Sequence, residues 1–520
     1  MQGKKDYQEK LFMSFQLSDR VPLTNFYRRL KEVLDLNFLY QLTRPYYGES
    51  VQKSIDPVVF FKLSLVGYLE NIVSDRHLIR HSSMRLDILY FLGYDLDEDL
   101  PWHSTLSRTR SLYGSDVFEA VFTKVLQLCV DMGMVSVDTQ VIDSAPVKAN
   151  ASMDSLELKE PVQALSCHLV AVNQQNDMES KQVDQDLDHG EESCCGSDVA
   201  FELIKPCASE KATTKEKAYK KPKVSNKTHY SPTDPDARMS SNPGKATKLN
   251  YNGNICVNTG HHVITDAHAY HADNKDSQNL EDCTTRTQKR LDDLGLVWDY
   301  LFADGNYSSG ENYALLEQLG LRSLIPPHGC YKGGHKDFVY DSEHDHWICT
   351  QGKIVALDKV FYRDGLKKKL YSLSKKQCRG CPLMDSCLTN GRPKRITVTF
   401  YRAEYERNIA RIQNKGASRV KAIRQSTVEP VLGTLTQHMG LRQINTIGIE
   451  KANKRINMAA TAYNLKKYLK FIGKTPLSMA GVIKQTQRAL KSAFLALKSP
   501  SCDNMSYFRP EFQPMTLKTQ

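Results

Sequence analysis

The stretch VSVDTQVIDSAP, residues 135–146, alternates apolar and polar side chains, as a strand with one buried face does. One side of this predicted strand carries Val135, Val137, Thr139, Val141 and Asp143. Pro146 is expected to end the strand, which places Asp143 at its carboxyl end and on the buried side. Burying an unpaired carboxylate destabilises the fold, so we expect Asp143 to bind a metal ion, to pair with a basic group or to hold a proton.

A second carboxylate follows a second short apolar run, DYLFADGNYSS at residues 299–309, where the predicted strand ends at Asp304. Ser308 and Glu311 then form a capping box that opens a helix. Between the two strands, residues 248–270 read as a hairpin with its turn near Thr259 and Gly260, and residues 277–296 as an amphipathic helix. This alternation predicts a mixed α/β fold, in which ligands gather at strand ends.

The first 130 residues read as helical. Asp56 and Pro57 are suited to the N-cap and first position of one helix, and residues 75–95 continue in helical periods to Gly93. Residues 101–114 form a short helix carrying Arg108 and Arg110. It is either a DNA-reading element or an ordinary solvated helix face.

Composition narrows the class of protein. The 520 residues include 70 basic and 59 acidic side chains, a net charge of +11, which favours a polyanionic partner such as nucleic acid. The longest apolar run, residues 58–69, is too short to span a membrane and contains Lys62. The start of the chain lacks the apolar core of a signal peptide, and 13 scattered cysteines fit a reducing cytoplasm better than a disulfide framework.

Residues 151–248 differ from their surroundings. An acidic stretch at 177–193 precedes a lysine-rich one at 211–227, and neither shows sustained periodicity. We interpret the segment as a flexible charged insertion.

A cysteine cluster lies further along the chain. A C-x2-C pair, a third cysteine after it and one upstream can supply four thiolates for a structural zinc ion in a small β-rich insert. The alternative is a set of buried free cysteines. The four residues are Cys349, Cys378, Cys381 and Cys387.

A third carboxylate, Glu429, lies in a basic helical region. Apolar residues around it follow helical spacing, and because Pro430 comes next, we expect Glu429 near the start of a helix. A salt bridge to a nearby arginine is the ordinary interpretation of such a glutamate. Together with two strand-end aspartates, however, it can complete a carboxylate site for Mg²⁺ or Mn²⁺. Two such ions about 3.5–4 Å apart can cleave a phosphodiester.

Five strings in order resemble the DDE transposases of bacterial insertion sequences, in the branch with a cysteine-bearing insert before the final glutamate helix. They are VIDSAPVKANAS, TDPDARM, FADGNYSSGENY, CRGCPLMDSC and STVEPVLGTLTQHMGLRQ. The resemblance extends over about residues 1–470 and includes the helical N-terminal part.

The resemblance implies an RNase H-like mixed sheet with flanking helices, in which Asp143, Asp304 and Glu429 form the catalytic triad. It also implies two Mg²⁺ or Mn²⁺ ions, strand cleavage and transfer at terminal inverted repeats and target DNA, and a homodimer or higher homo-oligomer. Such a bacterial protein would be cytoplasmic and nucleoid-associated, with no membrane contact. Relatives often carry a lysine seven residues after the glutamate, and Thr436 stands there. Phosphate contacts would then come from Arg424, His438 or Arg442.

We therefore predict five regions. A helical DNA-binding domain is expected at 1–130, and an RNase H-like catalytic domain at 131–150, 249–325 and 400–470. The flexible insertion is expected at 151–248, the β-rich cysteine insert at 326–399, and a basic helical tail at 471–520.

Other functions remain open at this point. A DNA-binding protein derived from a transposase would bind with steep salt dependence but not cleave. A zinc hydrolase built on the cysteines would lose turnover on chelation while staying folded. A non-enzymatic scaffold leaves the strand-end aspartates without a role.

Overall fold

The computed structural model describes residues 16–47, 54–136, 138–159, 224–241, 246–329, 331, 334–363, 365–388 and 393–473. Most of the predicted flexible insertion, and all but the first three residues of the predicted basic tail, therefore lie outside the described residues.

In the part of the chain that the structure describes, eight α-helices precede the first strand. They are α1 (Leu17–Arg20), α2 (Phe26–Val33), α3 (Phe38–Thr43), α4 (Pro57–Leu69), α5 (Asp75–Ser83), α6 (Leu86–Leu92), α7 (His103–Leu112) and α8 (Ser115–Asp131). The predicted start of α4 is confirmed, since the Asp56 carboxylate accepts from the backbone N–H groups of Val58 and Val59. The stretch 75–95 forms two helices rather than one, because Arg85 is extended and its guanidinium binds Asp87.

The main sheet is built from β1 (Thr139–Lys148), β4 (Arg238–Ser240), β5 (Lys248–Asn258), β6 (Ile264–His271), β7 (Tyr300–Phe302) and β8 (Arg322–Leu324). Five of these strands lie in the order β6, β5, β1, β7, β8, and β4 pairs with the start of β5. The pairs β1/β5 and β5/β6 are antiparallel, whereas β1/β7 and β7/β8 are parallel. This arrangement confirms the RNase H-like mixed sheet, and the predicted hairpin is β5 and β6.

Five of the described helices flank this sheet or follow the insert. They are α9 (Asp276–Asp293), α10 (Gly310–Gln318), α12 (Arg402–Lys415), α13 (Ala417–His438) and α14 (Ile449–Ile472). Helix α14 packs against β6 on one side and against α4 and α8 on the other, and most of its side chains are buried. The N-terminal helices and the main sheet consequently share one hydrophobic core.

A second, smaller sheet carries the cysteines. Its order is β13 (Lys394–Thr399), β12 (Leu366–Leu373), β11 (Ile354–Arg363), β10 (His346–Cys349), β9 (Phe338–Asp341), with the short helix α11 (Met384–Cys387) between β12 and β13. It has its own small core around Trp347 and Tyr371. A separate two-stranded pair joins β2 (Glu157–Leu158) to β3 (His229–Tyr230).

Among the described helices, none combines the length and the apolar composition that a membrane crossing requires.

Candidate active site

The register of two parallel strands brings Asp143 and Asp304 together. Val141 of β1 is opposite Phe302 of β7, and continuing that register by two residues places Asp143 beside Asp304. Neighbouring strands lie about 4.8 Å apart, so the two carboxylates face the same small volume. Both line one cleft.

Asp143 does not stand at the end of its strand, contrary to the sequence prediction. Strand β1 starts later than expected, at Thr139, and runs through Pro146 to Lys148, because antiparallel pairing with β5 continues beyond Asp143. What ends near Asp143 is the pairing with β7, whose last partner is Val141. The carboxylate therefore lies at an open edge of a continuing strand.

Asp304 is held by the turn that follows β7. Its Oδ1 accepts from the backbone N–H of Asn306 at 2.8 Å, and its Oδ2 accepts from the Asn306 side-chain amide at 3.2 Å. The next residue, Tyr307, is fully buried and anchors this short 3₁₀ turn. The carboxylate is thereby fixed at the mouth of the cleft.

Burial and neighbouring acids make both aspartates reluctant to ionise. The pKa of Asp143 is raised to about 6, chiefly by burial, with further contributions from Asp304 and Asp276. Burial also raises the pKa of Asp304, and Asp276 again contributes. Such crowding of partly buried carboxylates favours a cation or a proton in their midst.

Glu429 joins the pair through an arginine. The Arg424 guanidinium donates from Nη1 to Asp143 Oδ2 at 2.7 Å and approaches Glu429 Oε1 with Nη2 at 3.4 Å. The Asp143 side chain is only 15% exposed, whereas that of Glu429 is 51% exposed. Arg424 thus links two of the three predicted carboxylates directly, and its charge also acts on Asp304.

The predicted helix start at Glu429 is wrong. Helix α13 begins at Ala417, and Pro430 lies inside it. Proline removes one backbone donor, which leaves the carbonyl of Ser426 without its usual intrahelical partner. Ser426 is exposed, so water can satisfy that carbonyl, and the helix stays anchored by the buried Val428 and Val431.

A fourth carboxylate, Asp276, faces the same aspartates and was missed by the sequence reasoning. It is the first residue of α9, and its Oδ1 accepts from Ser144 Oγ at 2.8 Å and from Asn252 Nδ2 at 2.9 Å. An aspartate in the first turn of a helix is an ordinary start signal, so its spacing carried no functional information. Only the fold places it beside Asp143 and Asp304.

The cleft around these groups measures about 1160 Å³. One wall is formed by β1, the start of α9 and the turn after β7. The opposite wall comes from the cysteine-bearing insert, through Lys367 and Lys368 of β12 and Thr397 and Thr399 of β13. The insert is therefore part of the cleft, which its position in the sequence did not indicate.

The arginines predicted on α7 have different surroundings. Arg108 is exposed, but Arg110 is 7% exposed and forms two hydrogen bonds with the Asp75 carboxylate, at 2.9 and 2.8 Å. Arg110 is a buried ion-pair residue and not a DNA contact, because its guanidinium fork is occupied by Asp75.

The residues predicted after Glu429 lie near a second cleft of about 1110 Å³. His438 is the last residue of α13 and is exposed, as is Arg442. The second cleft adjoins the first, since Pro146 and Ser240 line both. Thr436 lines it too, with its hydroxyl bonded to the Leu432 carbonyl. Among the described residues, the cations that line this second cleft are Lys148, Lys248 and Arg442.

The four predicted cysteines come together in the insert. Burial raises the pKa of the Cys378 thiol, and so do the nearby thiols of Cys387, Cys381 and Cys349. The Cys349 sulfur accepts the backbone N–H of Lys353 at 3.3 Å. The group is assembled on the small core of the insert.

Comparison with known proteins gives two family matches. The profile described as Transposase domain (DUF772) matches residues 15–112, and the profile described as Transposase DDE domain matches residues 348–469. The first covers helices α1 to α7, and the second runs from the insert through Glu429 into α14. A search among curated proteins finds no significant match.

Among solved structures, a cryo-EM structure of a piggyBac transposase synaptic complex with hairpin DNA aligns with 94% of this chain and 82% of that chain. The identity is 12% and the TM-score 0.28, so this likeness carries no weight here. The two family matches carry the assignment: the chain contains a transposase domain at residues 15–112 and a transposase DDE domain at residues 348–469, and the sheet order agrees with the second.

Proposed function

We propose that the chain cleaves DNA strands at the ends of an insertion sequence and transfers them to target DNA in a metal-dependent reaction. The observation that carries the proposal is that Asp143 and Asp304 line one cleft and that Arg424 links Asp143 to Glu429, so that three separate parts of the chain converge. A role as catalytic triad explains why two partly buried aspartates share a space that raises the pKa of both.

The carboxylates fit a divalent cation of the magnesium class. Hard oxygen ligands suit Mg²⁺ or Mn²⁺, and Asp143, Asp304 and Glu429 would hold two such ions, with Asp276 beside them. When bound, the metals would activate the attacking hydroxyl and stabilise the leaving oxygen of the phosphodiester.

The chain's own residues prepare this site. Ser144 and Asn252 orient Asp276, and Asn306 orients Asp304, by the hydrogen bonds described above. Arg424 neutralises Asp143 and must release that carboxylate before a cation can take its place. Once displaced, the guanidinium is close enough to the cleft to contact a DNA phosphate.

The proposed DNA contacts follow the two adjoining clefts. Lys148, Lys248 and Arg442 offer positive charge along the second cleft, next to the carboxylates. Exposed Arg108 and His438 would add contacts from α7 and the end of α13. Phosphate contacts of this kind supply affinity without reading sequence.

The wider arrangement follows from this reaction. We assign DNA binding to residues 1–130 and catalysis to the main sheet with α12, α13 and α14. The two DNA ends of an insertion sequence must be cleaved together. We therefore propose that the chain acts as a homo-oligomer on the terminal inverted repeats. Sizing of the protein with end DNA tests that part.

We also propose a structural zinc ion on Cys349, Cys378, Cys381 and Cys387. The clustering of four thiols and the N–H···S hydrogen bond to Cys349 support it, because zinc thiolates commonly accept such bonds. Chelation should then unfold the insert rather than act on a reacting group.

Strand cleavage by the purified chain tests the proposal. Labelled DNA carrying the element ends is incubated with Mg²⁺, and nicked and transferred products are resolved on a denaturing gel. Asp143→Asn, Asp304→Asn and Glu429→Gln should each abolish both products, while the exposed Asp293→Asn on α9 should leave them unchanged. Retained cleavage by all three triad variants would refute the assignment.

A further inference from the structure

The hairpin β9–β10 carries a second group of metal-type side chains, at the end away from the cysteines. Asp341 ends β9, His346 opens β10 opposite it, and His344 lies in the turn between them. One ligand atom from each lies within 4.8 Å of the others. This set of one carboxylate and two imidazoles has no role in the active site or in the cysteine group.

The spacing of the three donors fits one small cation. His344 Nδ1 lies 2.8 Å from Asp341 Oδ2, and His346 Nε2 lies 3.5 Å from the same oxygen. Donors bound tetrahedrally at about 2.0–2.2 Å from zinc stand about 3.3–3.6 Å apart. A small side-chain rotation therefore converts the present contacts into coordination by one ion.

The carboxylate is already oriented for this role. The backbone N–H of Glu343 donates to Asp341 Oδ1 at 3.0 Å, which leaves Oδ2 directed at the two imidazoles. An outer hydrogen bond that fixes a ligand's orientation is the usual support of a metal site.

The turn itself is fixed by Asp345, which has the left-handed φ of 50°. Its carboxylate accepts from Tyr340 Oη at 2.7 Å, from Tyr371 Oη at 2.5 Å and from Lys369 Nζ at 2.8 Å. Three hydrogen bonds to one turn residue restrict the positions of His344 and His346 on either side of it. The donors are thus preorganised, which reduces the entropy lost on binding.

We propose that Asp341, His344 and His346 form a surface site for one divalent transition-metal ion of the zinc class. Imidazole and carboxylate donors suit such borderline ions, whereas the carboxylate cleft suits magnesium. Three protein ligands leave further positions for water or an external ligand. The inference does not depend on DNA cleavage.

The ion would stabilise the β9–β10 hairpin, which packs against the first residue of helix α12. Between the two ends of this hairpin, the rings of Tyr340 and Trp347 lie 4.0 and 4.6 Å from the guanidinium of Arg402, which begins α12. Closing the turn with a metal would stabilise this contact. The site would therefore raise the thermal stability of the insert.

Cobalt titration of the full, chelator-treated chain tests the proposal. Co²⁺ replaces zinc and reports thiolate ligation by an intense near-ultraviolet charge-transfer band, which imidazole and carboxylate ligands do not produce. The double variant His344→Gln, His346→Gln should bind one Co²⁺ fewer per chain than the unmodified protein, with that band intact. The matched control is His335→Gln, a half-buried histidine of the same insert outside the proposed site, which should bind the full number.

Two further variants separate this ion from the others. Asp341→Asn should weaken the same binding step at least about tenfold. Cys378→Ser leaves three thiolates, so it should weaken the charge-transfer band, and it should leave the imidazole-dependent step in place under conditions in which circular dichroism shows its insert folded. Equal stoichiometry and affinity in the unmodified chain and the folded double variant would overturn the proposal.

Discussion

Asp143→Asn should stabilise the metal-free protein near neutral pH. The carboxyl of Asp143 has a pKa of about 6 in the folded chain against 3.8 as an ordinary aspartate, mainly because it is buried. Two pKa units correspond to about 3 kcal/mol that the ionised form costs the fold. Asparagine has nearly the same size and no charge to desolvate, so it removes this cost.

The sign of the pH dependence follows from the raised pKa. The folded carboxyl holds its proton more tightly than the unfolded one, so its contribution favours folding fully below about pH 4. That contribution is lost as the pH rises through about 6. The two proteins should therefore differ little near pH 4 and most at pH 7, in favour of the variant.

Thermal unfolding in magnesium-free buffer, with the zinc of the insert retained, measures this difference. With about 2.1 cal/mol/K of unfolding entropy per residue, a 520-residue chain that unfolds as one unit shifts about 1 °C per kcal/mol. We expect the Tm of Asp143→Asn to exceed that of the unmodified chain by about 3 °C at pH 7, and excess Mg²⁺ to narrow or reverse the gap. Asp293→Asn is the control. An Asp143→Asn variant that is less stable than the parent at pH 7 without metal would refute the reasoning.

Three further predictions concern other parts of the chain. Asp276→Asn should slow strand cleavage about tenfold or more and raise the Mg²⁺ concentration needed for half-maximal rate, because a negative charge next to Asp143 and Asp304 is lost. An unchanged Mg²⁺ dependence would count against a role for Asp276 in metal binding. Arg110→Met should lower the free energy of unfolding by about 3 kcal/mol, since it leaves a largely buried Asp75 unpaired, while Arg108→Ala should weaken DNA binding with little effect on unfolding. The triple variant Lys148→Ala, Lys248→Ala, Arg442→Ala neutralises the described cations of the second cleft. The plot of log affinity for DNA against log salt concentration should become shallower by a slope of about 3. An unchanged slope would show that these residues do not contact DNA.

Local sequence signals determined much of the fold correctly. The hairpin β5–β6 and the start of α4 were predictable because turn residues and N-cap chemistry act over a few residues. The alternation around Asp143 identified β1, but its end was misjudged because a proline at an open strand edge costs no hydrogen bond there. Likewise, Pro430 suggested the start of a helix, but α13 continues through Pro430 because its buried side chains hold it in place.

The site was predictable only in part, because its residues are brought together by strand pairing and side-chain contacts between distant parts of the chain. The sequence marked Asp143, Asp304 and Glu429 as unusual carboxylates, yet their contact depends on β1/β7 pairing and on Arg424. Asp276 and the wall contributed by the insert gave no local signal, since an aspartate at a helix start and lysines on a strand are ordinary. Arg110 was predicted to contact DNA because it is a basic residue on a short helix, but it forms a buried ion pair with Asp75.

The most direct test of the account is where a divalent cation binds. Anomalous diffraction from crystals soaked in Mn²⁺ locates the ion without reference to activity. The account predicts a manganese peak in contact with the carboxylates of Asp143 and Asp304, with Glu429 completing the site and Arg424 moved away from Asp143. Crystals in which this cleft holds no manganese at saturating concentration, and Arg424 still binds Asp143, would contradict it.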